Sequence, residues 1–186
     1  MFGDSITQGA WIAEGTGAEL SNLYQRKLDV INRGLSAAWA IPIAEKITLE
    51  QFKSNLRTIV ALVRDPTSSF HQPDSRFILI TPPPVDVDYA EAVKEVAKEL
   101  EVPVVDCWTA ITSAARDTEE GLGRFLRDGL HLTPAGYAIV TDGVRSVIEQ
   151  HLPELHWNKL AQTFPHWADI LLGSEFVVAT ETPRAG

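Results

Sequence analysis

Two short apolar segments, residues 76–81 and 102–106, constrain the fold of this chain more than any other feature. The first is apolar at successive positions, as in a strand that is buried on both faces of a parallel sheet. Between them, over residues 89–100, apolar residues recur at helical spacing. Strand, helix and strand in this order are typical of an α/β protein. We therefore predict a parallel sheet covered by helices.

The same patterns predict five more elements: helices at 18–28, 47–65, 108–116 and 134–150, and a short strand at 29–32. Thr48 and Gln51 have the spacing of a capping box at the start of the second of these helices. Thr133 followed by Pro134 predicts an N-cap and a proline at the first helical position. The elements alternate along the chain, which supports the α/β prediction.

The chemistry is concentrated in two distant stretches, Gly3-Asp4-Ser5-Ile6-Thr7 and Asp128-Gly129-Leu130-His131. A serine hydroxyl becomes a good nucleophile when a base takes its proton and a carboxylate orients that base. Ser5, His131 and Asp128 supply these three groups. The spacing Asp128-x-x-His131 lets the carboxylate reach Nδ1 and leaves Nε2 for the serine. The structural alternatives are that Ser5 caps a helix, that Asp128 caps a turn and that His131 is a packing residue.

These stretches and three others resemble the SGNH or GDSL-type hydrolases, in particular the isoamyl acetate-hydrolysing esterase-like branch. The resemblance covers about residues 2–170, in the blocks Phe2 to Gln8, Asn32 to Ser36, Ile80 to Pro84, Val105 to Thr109 and Asp128 to Gly136. It implies a flavodoxin-like three-layer α/β sandwich whose parallel strands have the order 2-1-3-4-5.

The resemblance also implies the role of each site residue. Ser5 would be the nucleophile, His131 the base and Asp128 the carboxylate that orients it. The backbone N–H groups of Ser5 and Gly34 would stabilise the oxyanion. Gly3 and Asp4 would support the nucleophile as parts of the same motif. Asn22, Asn32, Asn55 and Asn158 lack the flanking residues of a further family block, so none of them inherits its role.

That further block, Gly-x-Asn-Asp, supplies the third oxyanion donor in the family and is missing here. After Ser36 the chain passes through residues 37–42 directly towards the helix at 47–65. The segment after Asp86 is also short, and only two residues precede Gly3. The sheet is therefore predicted to be truncated at its central first and third strands, which would leave unpaired edges. Three explanations are open: a splice or gene-model product, a sheet in which the second strand pairs with the fourth, or a chain that needs a partner.

The resemblance and the Ser-His-Asp pattern predict a serine esterase that hydrolyses short-chain carboxylic acid esters through an acyl-enzyme. Loss of one oxyanion donor typically costs about 10²–10³-fold in rate, so we expect weak activity. Activity should rise with pH as the imidazole loses its proton. The alternative is a non-catalytic remnant that acts at most as a binding module.

Composition bounds the remaining possibilities. The chain has 186 residues and is 45% hydrophobic, which indicates one domain, predicted at 1–172 and followed by a loose tail at 173–186. Its net charge of −9 disfavours nucleic acid and anionic membranes as partners. A small-molecule ester is the expected partner, and a homo-oligomer is possible.

Cysteine and histidine usage bears on location and cofactors. The one cysteine, Cys107, cannot form an internal disulfide, and we expect it to be a core residue. No run of about 18 apolar residues and no signal pattern is present. A cytoplasmic protein is therefore expected. The histidines outside the Asp128 block lack metal-ligand spacing, so neither a metal nor another cofactor is expected.

Overall fold

The computed structural model describes residues 1–35 and 47–163. The predicted passage at 37–42 and the predicted tail at 173–186 lie outside the described residues. Within them the chain forms, in order, β1 (Phe2–Gly3), α1 (Ser5–Gly9), α2 (Thr16–Leu23), β2 (Arg33–Gly34), α3 (Leu49–Arg64), β3 (Leu79–Ile80), α4 (Val87–Glu99), β4 (Val104–Val105), α5 (Cys107–Ala115) and α6 (Pro134–His151). Two short 3₁₀ helices lie at Gly121–Arg124 and Pro153–Leu155.

The sheet is divided into two parallel pairs. β1 pairs with β2, and β3 pairs with β4. Among the described strands none joins β1 to β3. In the predicted order 2-1-3-4-5, β1 and β2 take the places of the first and second strands, and β3 and β4 take those of the fourth and fifth. The division therefore falls at the place of the third strand. The prediction of a parallel α/β fold that is truncated at its centre is confirmed. The alternative in which the predicted second strand (β2) pairs with the predicted fourth strand (β3) is not found in the described residues.

The first strand, β1, is present and has two residues. Its pairing with β2 explains why the second strand was predicted at the wrong place. The strand predicted at 29–32 is instead Arg33–Gly34. The Arg33 N–H donates to the Met1 carbonyl at 2.8 Å and the Leu35 N–H donates to the Gly3 carbonyl at 3.0 Å. The ladder therefore begins only opposite the start of β1, because strand structure depends on a partner as well as on local sequence.

Helices pack on both faces of the pair formed by β3 and β4. On one face α6 contacts β4, α2 and α5. A Cβ at Gly143 of α6 would lie 2.5 Å from Val105 Cγ1, so the glycine allows this helix to pack closely on the strand. On the other face α4 contacts β3 and β4 and packs against α3. The main core lies under α6 and includes Leu20, Tyr24, Val105, Cys107, Ile111, Phe125, Leu126, Leu132, Tyr137, Val140, Val144, Val147, Ile148 and Trp157.

The helix boundaries follow local capping signals. Thr48 and Gln51 form the predicted capping box of α3, and Thr133 caps α6 with Pro134 in its first turn. The first predicted helix ends earlier than predicted, at Leu23, and Arg26 has a φ of 62° that no helix continues through. These observations confirm the predicted helices and correct the C-terminal end of α2.

The division of the sheet leaves apolar surface exposed beside it. Phe2 of β1 is 67% exposed and Ile80 of β3 is 43% exposed. Both residues direct their backbone groups away from the paired strand, because the neighbouring residues make the ladder hydrogen bonds. In α3 the apolar stripe is present, yet Val60 is the only member of the helix that is fully buried. Within the described residues, no helix is long and apolar enough to span a membrane.

Candidate active site

Ser5 is the first residue of α1, and one residue separates it from the end of β1. Asp4 between them is the N-cap, with an extended backbone, and its carboxylate accepts the Ile6 N–H at 2.9 Å. Satisfying an N–H at the helix start in this way stabilises the first turn. The half-buried Ser5 Oγ lies 3.0 Å from His131 Nε2. The motif thus presents a serine hydroxyl to an imidazole across 126 residues of sequence.

His131 is held on its other side by Asp128. The imidazole Nδ1 lies 2.6 Å from Asp128 Oδ2. The second carboxylate oxygen accepts the His131 N–H at 2.7 Å and the Leu130 N–H at 3.1 Å. This tight turn contains Gly129 with a φ of 81°, a conformation that favours glycine. Ser5, His131 and Asp128 therefore form one continuous hydrogen-bonded chain.

The turn determines the electrostatics of Asp128. Donation from the His131 backbone N–H, followed by the imidazole, lowers the pKa of the Asp128 carboxyl to about 2. The carboxylate is therefore ionised at neutral pH and can accept a hydrogen bond from Nδ1–H, which directs Nε2 towards the serine. Its side chain is 51% exposed, and that of His131 is 29% exposed, so the site opens to solvent.

The ends of this turn are fixed by buried residues. Leu126 and Leu132 form an isolated antiparallel bridge and are 4% and 2% exposed. The Arg127 N–H donates to the His131 carbonyl at 3.0 Å. The turn then enters α6 through the Thr133 cap. The imidazole is consequently carried by a closed loop whose base lies in the hydrophobic core.

The two motif residues before the serine have structural roles. A Cβ at Gly3 would lie 2.2 Å from Thr7 Oγ1, so a side chain there would force the Thr7 side chain of α1 to shift. Asp4 caps the same helix. Both residues therefore determine how the serine leaves the strand.

Gly34 lies against the backbone of α1. A Cβ there would be 2.0 Å from Gln8 N and 2.6 Å from the Thr7 carbonyl carbon. The Gly34 N–H donates to Asn32 Oδ1 at 2.8 Å, and Asn32 Nδ2 donates to the Thr7 carbonyl at 2.8 Å. The role of Gly34 as an oxyanion donor stays a prediction. To bind an oxyanion, the Gly34 N–H would first have to break its hydrogen bond to Asn32 Oδ1.

Asn32 is a site residue to which sequence reasoning assigned no role. Its side chain joins β2 to α1 and therefore supports Ser5 from below the helix. The local signal was its position two residues before Gly34, because asparagine side chains commonly accept a hydrogen bond from the N–H two residues on. The bond to Thr7 is a tertiary contact, and it has no counterpart in the local sequence.

Replacing Gly34 by alanine is expected to destabilise the protein by about 1–3 kcal/mol, because the added Cβ would meet backbone atoms that cannot move independently. Urea unfolding checks this prediction. Gly123→Ala is the matched control, since a Cβ there meets nothing within 4 Å. Equal unfolding free energies for the two variants would contradict the close packing of β2 on α1.

The surroundings of Cys107 are those of a core residue. Cys107 is 1% exposed in the core, and burial raises the pKa of its thiol to about 12. A protonated, enclosed thiol is a poor nucleophile. In residues 1–35 and 47–163 there is no group of three or more His, Cys, Asp or Glu side chains that could hold a metal ion.

The chain is similar to known esterases. No protein-family model matches it. The isoamyl acetate-hydrolyzing esterase 1 homolog of Bos taurus is 29% identical, with 91% of this chain and 86% of that protein covered. A GDSL esterase/lipase of Arabidopsis thaliana is 28% identical, with 91% and 92% covered. The crystal structure of Axe2, an acetylxylan esterase from Geobacillus stearothermophilus, has a TM-score of 0.59 at 21% identity over 79% of this chain and 91% of that one.

The comparison with the Bos taurus protein also measures the internal shortening. The alignment extends over 228 positions, to which 91% of the 186 residues, or about 169, contribute. About 59 aligned positions therefore have no counterpart in this chain. This agrees with the divided sheet, in which a central strand is absent from the described residues.

Proposed function

Because this chain is a relative of the GDSL-type and isoamyl acetate-hydrolysing esterases, we propose that it is a serine esterase that hydrolyses short-chain carboxylic acid esters. The observation that carries the proposal is the hydrogen-bonded chain from Ser5 Oγ through the His131 imidazole to Asp128. Its two distances, 3.0 Å and 2.6 Å, are those of a nucleophile, a base and an orienting carboxylate.

In the first half of the reaction Ser5 Oγ attacks the ester carbonyl carbon while His131 Nε2 takes the hydroxyl proton. Asp128 stabilises the imidazolium that forms. When the tetrahedral intermediate collapses, the C–O bond to the alcohol breaks and His131 returns the proton to the leaving oxygen. The acyl group then remains on Ser5 as an ester.

In the second half water replaces the alcohol. His131 takes a proton from the water molecule, whose oxygen attacks the acyl carbon, and the second intermediate collapses with Ser5 as the leaving group. The proton passes from His131 to Ser5 Oγ. The carboxylic acid is released and the free hydroxyl is restored, so the groups balance without a cofactor.

We propose the Ser5 N–H as the principal oxyanion donor. The first N–H groups of a helix have no intrahelical acceptor, and the Asp4 carboxylate is used by Ile6. The Gly34 N–H can contribute only if a substrate oxygen replaces Asn32 Oδ1. Since one donor is worth about 10²–10³ in rate, we expect slow turnover.

The size of the acyl group is part of the proposal. The names of the Bos taurus relative and the Geobacillus stearothermophilus structure both refer to acetyl esters. We therefore propose acetate esters, with isoamyl and nitrophenyl acetate as first substrates.

We further propose that the domain spans residues 1–172 and acts in the cytoplasm, with a homo-oligomer possible.

The test combines turnover with covalent labelling by a fluorophosphonate. We expect hydrolysis of nitrophenyl acetate, and we expect the probe to abolish it in proportion to a mass increase on the peptide that contains Ser5. Heat-unfolded protein is the control, because an unactivated serine should not react. Full hydrolysis after labelling, or a label on another peptide, would contradict the proposed nucleophile.

A second candidate function is a non-catalytic remnant that binds an ester or another partner. The observations that favour it are the occupied Gly34 N–H and the roughly 59 aligned positions without a counterpart here. It predicts a cooperatively folded protein that is neither labelled at Ser5 nor active. The labelling experiment therefore separates the two candidates directly.

A further inference from the structure

The nucleophile helix α1 has five residues and depends on contacts from outside it. Helices this short are not stable alone, and the carbonyls of their last turn lack most of their intrahelical partners. In α1 the Thr7 carbonyl accepts the Ala10 N–H at 3.1 Å, and two side chains add to this. The Tyr137 hydroxyl donates to the Ile6 carbonyl at 2.7 Å. Asn32 donates to the next carbonyl, that of Thr7. Two side chains from distant elements therefore hold the helix that starts with Ser5.

Tyr137 is itself fixed in place. It lies in the first turn of α6, six residues after His131, and is 3% exposed. Its backbone carbonyl accepts hydrogen bonds from the hydroxyls of Thr16 at 3.2 Å and Thr141 at 2.9 Å. The hydroxyl reaches α1 closely, since a Cβ at Gly9 would lie only 2.9 Å from it. The Tyr137 ring therefore holds α1 at a fixed distance from α6.

We infer that Tyr137 is a positioning residue that sets the distance between Ser5 and His131, an inference that rests on the proposed esterase function. The serine begins α1, which packs on β1 and β2, and the imidazole precedes α6, which packs on β4. The sheet does not connect these two parts of the fold within the described residues. The Tyr137 hydroxyl bridges them one residue from the nucleophile.

Tyr137→Phe tests the inference, with Tyr24→Phe as the matched control. The Tyr24 hydroxyl also donates to a backbone carbonyl at 2.7 Å, that of Leu155, and the residue is 5% exposed. Each variant loses one buried tyrosine hydrogen bond, so both should lower the urea midpoint to a similar extent. We expect kcat to fall at least about tenfold in Tyr137→Phe with KM within about twofold, because small misplacements of reacting groups are costly. Tyr24→Phe should keep kcat within about twofold.

A second measurement does not require turnover. The ¹⁵N signals of the His131 ring report its hydrogen bond to Ser5, and Ser5→Ala provides the reference without that bond. We expect the Tyr137→Phe signals to move towards those of Ser5→Ala and the Tyr24→Phe signals to match the wild type. Identical kcat values and ring signals in the two tyrosine variants would overturn the inference.

The two measurements separate the possible failures. If the wild type shows no Ser5-dependent turnover, the proposed function fails, and the ring signals alone decide the positioning role. If Tyr137→Phe does not fold, Gly9→Ala takes its place, because its Cβ would push on the same hydroxyl while the ring is kept. The same comparison with Tyr24→Phe then applies.

Discussion

Alanine at Ser5 is expected to remove nearly all ester hydrolysis and to leave the fold intact. The Ser5 Oγ is the atom that meets His131 Nε2 at 3.0 Å, and removing the nucleophile from such a group of residues abolishes nearly all its catalysis. Alanine is the best helix former, so α1 should tolerate the change. We expect a fall in kcat/KM of at least about 10³-fold, measured with nitrophenyl acetate.

Ser21→Ala is the matched control for this loss. Ser21 is also a helical serine, and its hydroxyl donates to the Gly17 carbonyl at 2.8 Å, within α2. Its replacement should leave hydrolysis unchanged. If Ser5→Ala retained more than about a tenth of wild-type turnover at equal purity, the hydrolysis would have to arise from another group. The assignment of Ser5 would then be wrong.

Asparagine at Asp128 is expected to lower kcat by about 10²–10⁴-fold at neutral pH. The carboxylate accepts the imidazole Nδ1–H at 2.6 Å. An amide can present its NH₂ group there instead, which favours the tautomer in which Nε2 carries the proton and cannot act as a base. Because the side chain is 51% exposed, water can replace part of its effect. Equal kcat in the variant and the wild type would exclude Asp128 as the orienting group.

The same variant has a defined effect on stability. The folded-state pKa of Asp128, about 2, lies below its ordinary value of 3.8. The ionised carboxylate therefore stabilises the folded protein above about pH 4, and this contribution is lost as the pH falls towards 2. The difference in Tm between the wild type and Asp128→Asn should shrink as the pH falls from about 4 towards 2. A difference that stays constant from pH 5 to 2 would contradict the lowered pKa.

Local signals in the sequence predicted the elements whose ends are locally determined. The caps at Thr48 and Thr133 gave correct starts for α3 and α6, because each cap bonds within its own first turn. The position of β2 was wrong because its ladder depends on Met1 and Gly3, some 30 residues away. Strand extent is a property of a pair, and only one partner was visible in the local sequence.

The candidate site divides in the same way. The grouping of Asp128 with His131 could be predicted because three residues separate them in one turn. Their meeting with Ser5 could be predicted only through resemblance. Asn32 and Tyr137 could not be assigned, since each acts through a hydrogen bond to a backbone carbonyl of α1. A backbone acceptor is present at every residue and leaves no trace in the sequence.

Because the sheet is divided, the free energy of undocking the β1–β2 half differs from the free energy of unfolding the whole protein. In an unbroken sheet the strands next to the serine and the imidazole unfold together. Here β1 and β2 meet the rest of the described chain through helix packing and through side-chain hydrogen bonds such as that of Tyr137. Undocking of that half costs less than global unfolding, because among the described strands no ladder hydrogen bond joins the two halves. On heating, the serine and the imidazole should therefore part while most helices persist. Enzymatic inactivation would then precede the loss of helical circular dichroism, and the gap between the two midpoints would measure how firmly the halves are joined.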